Sequence, residues 1–447
     1  MLNNNLFAKY NEALKYLQQQ FNALYIATSS LEKDNPIEHL KYRIKTEDSI
    51  IQKLNRLKAK STEVDKELKY SFSEASMDHN LSDIVGVRVV CPFLSDVEKV
   101  IRLIHKTKQD MGFEIIEEKD YINNPKKSGY SSYHMKILLM VPVNGNLEPV
   151  KAEIQIRTIT MDMLASLEHK IRYKKGITVP KEMQIKLAEI TRYCNFVEVK
   201  LNHILKEVQQ EISQDTIECP VSLPDCMDTK EFTLFLSNYT KALDILNDKI
   251  NKFSLEYRDK TESNPIEHVK SRIKTKERIV EKLSRKNLPI TIENIENNIH
   301  DIAGIRIVCS FKSDVEEIIR AIKEETLKSD SLLEIIEEQD YNSNPKKSGY
   351  TSYHMLVSLP IFNQGKIVNV KVEIQIRTVV QEMWAILQER LCYHKEVDPR
   401  IANQLKDISA DMIAIDENMN EMIKESIMLQ NEKENNQIKK KERKILI

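Results

Sequence analysis

Several things are scarce in this sequence, and each scarcity excludes something. Charge of one sign is missing: 67 Lys and Arg stand against 68 Asp and Glu in 447 residues, a formal charge of −1. No global field would hold such a chain on duplex nucleic acid or an anionic membrane, so phosphate binding has to be local and DNA is not an expected partner. Nowhere do about 18 apolar residues run together, as a membrane-spanning helix requires. The start, MLNNNLFAKYNEALKYL, lacks the basic and apolar layout of a secretory signal, and the expected location is the cytoplasm. Six cysteines (Cys91, Cys194, Cys219, Cys226, Cys309, Cys392) show neither CxxC spacing nor a dense framework. Cys91 and Cys309 sit in apolar runs and read as buried, reduced thiols. Only eight glycines occur, and Gly86, Gly129, Gly304 and Gly349 fall in repeated motifs, which suggests positive φ or close backbone approach there.

What is present is one module written twice. NPIEHLKYRIKT (Asn35 to Thr46) returns as NPIEHVKSRIKT (Asn264 to Thr275), and DIVGVRVVCPFLSDVEKVIRLI (Asp83 to Ile104) as DIAGIRIVCSFKSDVEEIIRAI (Asp301 to Ile322). NPKKSGYSSYH (Asn124 to His134) returns as NPKKSGYTSYH (Asn344 to His354), and VKAEIQIRT (Val150 to Thr158) as VKVEIQIRT (Val370 to Thr378). The order is the same in both halves. A period of about 220 residues means tandem domains rather than a solenoid, whose repeats run about 20 to 50. With 41% hydrophobic and 30% charged residues, both domains are expected to be globular and helix-rich. The expected division is 1–217, a linker at 218–228 where ECPVSLPDCMD breaks the periodicity, 229–433, and a short basic tail at 434–447. Amphipathic patterns predict long helices opening and closing each copy, near 7–31, 180–212, 231–256 and 399–431.

The chemistry lies in the repeats. In EIQIRT, strand alternation sends Ile154 and Ile156 to one face and Glu153, Gln155 and Arg157 to the other. DIVGVRVV reads as a strand buried on both faces, with Asp83 at its entrance. Carboxylates such as Asp83 and Glu153 on neighbouring strands suit Mg²⁺, which takes one or two carboxylates plus phosphate oxygens. RIKTEDSIIQKL sets Arg43 and Lys45 before a helix start, with Ser49 and Lys53 four apart on one face; Arg272, Lys274, Arg278 and Lys282 are the second copy's cations. Cations beside a helix N-terminus suit a polyphosphate. In the Pro-Lys-Lys-Ser-Gly-Tyr loop, Tyr130 follows a glycine and can display its ring to a base. Arg88 could stack on a base or pair with an acid.

Together, these four ordered motifs resemble the synthetase domain of the RelA/SpoT family, over about 140 residues of each half. The histidine-aspartate hydrolase domain and C-terminal regulatory domains of the long members have no counterpart. The resemblance implies an α+β fold: two tandem nucleotidyltransferase-like domains, each a mixed β-sheet flanked by helices, with long N- and C-terminal helices. It implies pyrophosphate transfer from ATP to the 3′-hydroxyl of GDP or GTP, releasing AMP, with Mg²⁺ as cofactor. By position, Arg43, Lys45, Ser49 and Lys53 resemble the ATP-phosphate ligands and Arg88 the adenine-stacking residue. Asp83 and Glu153 resemble the metal carboxylates, Glu153 also being suited to take the hydroxyl proton. Tyr130 resembles the guanine platform, with Lys126, His134, Gln155 and Arg157 lining the acceptor side. In the second half the same reading gives Asp301 and Glu373 for the metal and catalysis, and Arg272, Lys274, Lys282 and Arg306 for ATP. Lys346, Tyr350, His354, Gln375 and Arg377 are its acceptor-side residues.

The copies depart from that pattern unequally. The first keeps Ala165, Ser166, Leu167, Glu168 and His169 but has Leu164 where the family carries tryptophan; the second keeps Trp384 but has Gln388 and Glu389 for the Glu-His pair. Both have Ser131 or Thr351 where the family often carries a basic residue. The second half is therefore expected to be weaker or regulatory, in a homo-oligomer or as a built-in pseudo-dimer partner. Two alternatives stay open: a pyrophosphokinase acting on adenine nucleotides or the 3′ end of tRNA, and a guanine-nucleotide or alarmone-binding module without catalysis.

Overall fold

The computed structural model describes residues 7–31, 35–61, 70–126, 129–172, 180–212, 225–261, 264–328, 331–392 and 399–445. Most of the expected linker falls outside them. Two compact units emerge, Met1–Glu168 with Leu187–Asn202, and His169–Lys186 with His203–Ile447.

The first half runs α1 (Ala8–Leu31), β1 (His39–Ile44), α2 (Glu47–Lys60), α3 (Glu74–Asn80), β2 (Val85–Cys91), α4 (Leu94–Thr107), β3 (Phe113–Asp120), β4 (Tyr133–Val143), β5 (Asn146–Thr158), α5 (Ile159–Arg172) and α6 (Lys181–Ile212). The second repeats it as α7 (Lys230–Thr261), β6 (Ile266–Ile273), α8 (Lys276–Arg285), α9 (Ile292–Asn298), β7 (Ala303–Cys309), α10 (Lys312–Thr326), β8 (Glu334–Asp340), β9 (Tyr353–Asn363), β10 (Lys366–Thr378), α11 (Val379–Cys392) and α12 (Pro399–Ile445). The expected basic tail continues α12 rather than leaving it. Each half holds a five-stranded sheet, ordered β1-β2-β5-β4-β3 and β6-β7-β10-β9-β8. Only the β2/β5 and β7/β10 pairs are parallel, so both sheets are mixed, as expected.

Burial explains why these segments take these places. Tyr10, Ala13, Leu17, Phe21 and Leu24 make one buried stripe on α1 at helical spacing and join the sheet's inner face in one apolar core. On β5, Val150, Ala152, Ile154 and Ile156 alternate into that core. The other face is left to polar groups, as the alternation predicts. The β2 strand departs from expectation: Val85, Val87 and Val89 are buried, whereas Gly86 and Arg88 are half-buried on the site face. Val90 and Cys91 are buried as well, so the strand is covered on both faces at its C-terminal end and opens to the site face only at Gly86 and Arg88. Thr46 caps α2 by accepting from the Ser49 backbone N–H, and Glu47 and Asp48 occupy its first turn, where the helix dipole favours anions. Cys91, Cys194 and Cys309 are buried and form no disulfide among the described residues.

Candidate active site

Register assembles the site. Parallel pairing sets Gly86 opposite Glu153 and Arg88 opposite Gln155, while β1 brings Arg43 opposite Gly86 and Lys41 opposite Arg88. On the other side His134 lies opposite Gln155. Two rows of chemistry-bearing side chains therefore cross the polar face. Gly86 has no positive φ, and a Cβ there would meet Arg43 and Glu153 only at ordinary contact distances, the nearest 3.5 Å. The backbone demand expected at this glycine is absent. Gly129 and Gly349 do meet it, with φ of 82° and 77°.

Three clusters occupy this face in the first half. Asp83, just before β2, accepts from Lys45 Nζ at 2.5 Å and Lys53 Nζ at 2.7 Å through one oxygen, Oδ2. Its Oδ1 is buried and has no hydrogen-bond partner among the described residues. Burial works to raise this carboxyl, but the two lysines outweigh it and hold it below the usual carboxylate range. Ser49 Oγ accepts from the Thr46 hydroxyl at 2.9 Å, within the cap of α2.

The second cluster is a closed hydrogen-bond circuit. Glu153 Oε1 meets His134 Nδ1 at 3.0 Å, His134 Nε2 meets the Tyr130 hydroxyl at 2.9 Å, and Arg157 donates to that hydroxyl at 2.9 Å. Arg157 also donates to Gln155 Oε1 at 2.5 Å, and Gln155 Nε2 donates to Glu153 Oε2 at 2.6 Å. An ionised carboxylate only accepts, so His134 donates to Glu153 through Nδ1–H. Burial pushes the Glu153 carboxyl up, and the His134 and Gln155 hydrogen bonds bring it net below its ordinary value. Beside the circuit, Lys126 Nζ lies 4.5 Å from the Tyr121 ring centre and 4.7 Å from that of Tyr130, within cation–π range.

The third cluster was not foreseen. Asp162, in the first turn of α5, is buried and pairs with Arg88 at 2.8 Å, Lys41 at 3.2 Å and Arg157 at 3.3 Å. Burial opposes its charge, yet Lys41, Arg88 and Arg157 together keep its carboxyl far below the usual range. Arg157, expected on a polar row, is itself almost fully buried against it, at 2% exposure. Arg88 thus pairs with an acid here. One signal could have found Asp162: nine residues beyond the EIQIRT glutamate both halves keep an acid, Asp162 and Glu382. Tyr121 and Tyr341, which flank the loop rings edge-on, were also missed.

The second half repeats this arrangement. Asp301 takes Lys274 at 2.7 Å and Lys282 at 2.8 Å, one on each oxygen. Glu373 meets His354 Nδ1 at 3.2 Å and Gln375 at 2.8 Å, Tyr350 meets His354 Nε2 at 2.9 Å, and Arg377 donates to Gln375 and Tyr350. Glu382 pairs with Arg306 at 2.7 Å and Arg377 at 3.0 Å. Arg272 lies opposite Gly304, and Lys346 stands 4.9 Å from the Tyr350 ring centre. Gln388 Nε2 donates to the Ser348 carbonyl at 2.9 Å, tying α11 to the Pro-Lys-Lys-Ser-Gly-Tyr loop. The His169 side chain, cited for the first half's Glu-His pair, lies outside what is described.

Each half of this α+β protein thus carries on one face of a mixed sheet a lysine-neutralised carboxylate, a second carboxylate in an aromatic circuit and a lysine–tyrosine loop. A family model described as a region found in RelA/SpoT proteins matches residues 42–178 and 271–398. The chain belongs to the RelA/SpoT family. It is 39% identical over 199 residues to GTP pyrophosphokinase YwaC of Bacillus subtilis, covering 44% of this chain and 88% of that protein. It is 33% identical over 201 residues to GTP pyrophosphokinase YjbM of the same organism, covering 45% and 87%. Among solved structures, small alarmone synthetase 1 from Bacillus subtilis bound to its product pppGpp is 33% identical, covering 44% of this chain and 98% of that one, with a TM-score of 0.40. No helix among the described residues is long and apolar enough to cross a membrane.

Proposed function

We propose that this protein is a (p)ppGpp synthetase, a GTP diphosphokinase that moves the β,γ-pyrophosphate of ATP onto the ribose 3′-hydroxyl of GDP or GTP in the cytoplasm. The observation that carries this reading is the division of labour between two carboxylates, Asp83 ringed by donor-side lysines and Glu153 wired to the acceptor-side tyrosine. Its duplication at Asp301 and Glu373 and the printed activities of the relatives support it.

In this mechanism Lys45 and Lys53, with Arg43 beside them, hold the ATP phosphates at the start of α2, and the acceptor base lies on Tyr130. Glu153 is ionised and each oxygen already accepts one hydrogen bond. A carboxylate has room for about four, so an acceptor hydroxyl can donate to it directly. The 3′-oxygen forms its bond to the β-phosphorus as that phosphorus loses the oxygen bridging to the α-phosphate; the hydroxyl proton goes to Glu153 and AMP leaves with the bridging oxygen. Such transfer asks a protein chiefly for alignment and charge. The unpartnered Asp83 Oδ1 fits a metal ligand, and Asp83 with Glu153 would hold Mg²⁺, which supplies charge neutralisation at phosphate oxygens. The second half keeps every group, with a longer His354–Glu373 contact and the Gln388 tie on its loop, and we assign it the smaller share of turnover.

The purified protein with labelled ATP, Mg²⁺ and GDP or GTP should yield a labelled guanosine product and AMP. Label in RNA or in an adenine nucleotide instead, or no product with any acceptor, overturns the reading. A finer test is Tyr130→Phe in a Glu373→Gln background, which keeps the stacking ring and removes only the hydroxyl that braces His134. That hydroxyl also accepts from Arg157, and each hydrogen bond lost in a charged network is worth about 1.5–3 kcal/mol, so a fall of at least about tenfold follows. The expected loss falls on kcat, with the acceptor KM close to its parent value; an unchanged kcat shows the hydroxyl to be idle.

A further inference from the structure

Behind the acceptor loop of the second half lies a cavity of about 540 Å³, bounded by α10, the loop after β8, α11 and α12. Pockets of about 300–1,000 Å³ suit small molecules. The chain contains its own comparison for this wall. Leu94, Ile122, Met161 and Val199 of the first half correspond to Lys312, Asn342, Gln381 and Glu417, so four apolar positions on four different elements have become polar together. They pair in part: Gln381 donates to Asn342 at 2.8 Å, and Lys312 lies 3.4 Å from Glu417. The buried one of these is Gln381, and a polar group is costly to bury unless something hydrogen-bonds it, whereas Lys312 and Glu417 keep part of their side chains in solvent.

Two further wall residues ask for a partner of definite chemistry. Trp384, 4% exposed, has an indole N–H with no acceptor, and Asp416, 2% exposed, has an Oδ1 with no donor, among the described residues. Val315, Ile319 and Met412 give the same cavity apolar surface. Its lining carries the carboxylates of Glu316, Asp340 and Glu417, with the Asp416 carboxyl pushed up to about 7 by burial, against one lysine that already faces Glu417. That balance repels phosphate, unlike the acceptor site with Lys346 and Arg377. The loop itself forms part of the wall through Gly349 and Thr351. Packing there is close, since a Cβ on Gly349 would stand 1.9 Å from Ser409 Oγ.

From these features we infer that the cavity is a binding site for an uncharged purine nucleoside, whose flat apolar ring system carries both a donor and an acceptor and whose lack of phosphate suits an acidic wall. An occupant would touch the acceptor loop of the second half from behind, so this half would sense nucleosides whether or not it turns over. The inference stands apart from the proposed reaction, because its ligand carries no phosphate and its wall shares no catalytic group.

Calorimetric titration of the full chain with guanosine and with adenosine tests it, with GDP as the comparison. Restoring the first half's residues, Asn342→Ile with Gln381→Met, should weaken binding of at least one nucleoside by tenfold or more, while Tyr350→Ala, which removes the acceptor platform, should leave it within twofold. Should the double replacement fail to fold in a thermal melt, the near-isosteric Asp416→Asn carries the same expectation. Absence of binding by both nucleosides at millimolar concentration overturns the proposal. So does binding that Tyr350→Ala abolishes and the cavity variants spare, since that places the nucleoside in the acceptor site.

Discussion

Glu153→Gln removes the first half's turnover, Glu373→Gln removes the second's, and the double variant makes no guanosine product above background. The replacement is nearly isosteric, so it leaves the sheet intact, but an amide cannot take the hydroxyl proton and presents a donor where His134 and Gln155 already donate. General-base contributions run about 10²- to 10⁴-fold, and a fall in that range is expected for each half assayed alone. Because the first half is assigned the larger share, Glu153→Gln should remove most of the parent activity and Glu373→Gln the lesser part. Equal losses would show that the Gln388 tie does not weaken the second site. A single variant that silences both halves would show that they work only together. Product release, AMP release and thermal melts of the three proteins decide among these outcomes.

Asp162→Asn should cost both stability and substrate binding. The carboxylate neutralises Lys41, Arg88 and the almost fully buried Arg157. Removing one partner from a buried ion cluster leaves uncompensated charge, at about 3–5 kcal/mol. Denaturant unfolding should register that loss in the first half alone. The sign of its pH dependence follows from the lowered carboxyl. The stabilising effect is present above the ordinary aspartate range and disappears as pH falls through the folded-state value, so parent and variant should converge only in strong acid. Asp162→Glu should be far milder, because Glu382 does the same work in the second half with one methylene more. In assays the asparagine variant should raise KM for ATP through Arg88 and for the acceptor through Arg157. A change in stability without a change in either KM would reduce Asp162 to a structural ion.

The contrast between Glu153 and Asp162 shows what this sequence exposes. EIQIRT announces itself because alternation is local and the same polar face returns about 220 residues later. Asp83 and the lysines are legible because each sits at a strand entrance or helix start, where charge has an obvious use. Asp162 lies inside TMDML at the head of a helix, where an acid reads as dipole compensation. Its partner Lys41 is 121 residues away in sequence, and nothing local reveals that β1, β2 and β5 converge on it. Arg157 stands with Glu153 and Gln155 on the face that alternation gives it, but its burial is not legible, because guanidinium groups are rarely buried unless paired and its partner lies in the following helix. The VGVRVV run is half legible: Val90 is buried on the same face as the half-buried Gly86 and Arg88, and an unbroken apolar run does not mark where that face opens.

The circuit that joins Tyr130 to His134 and Arg157 also bears on the thermodynamics of encounter. A tyrosine bound through its hydroxyl at two points has surrendered its torsional freedom before any nucleotide arrives. In the proposed reaction the acceptor base would therefore meet a platform already set, and association would forfeit little side-chain entropy. The duplicated circuit makes each half a preformed seat, so affinity differences between them should lie in dissociation rates rather than in how fast the nucleotide lands.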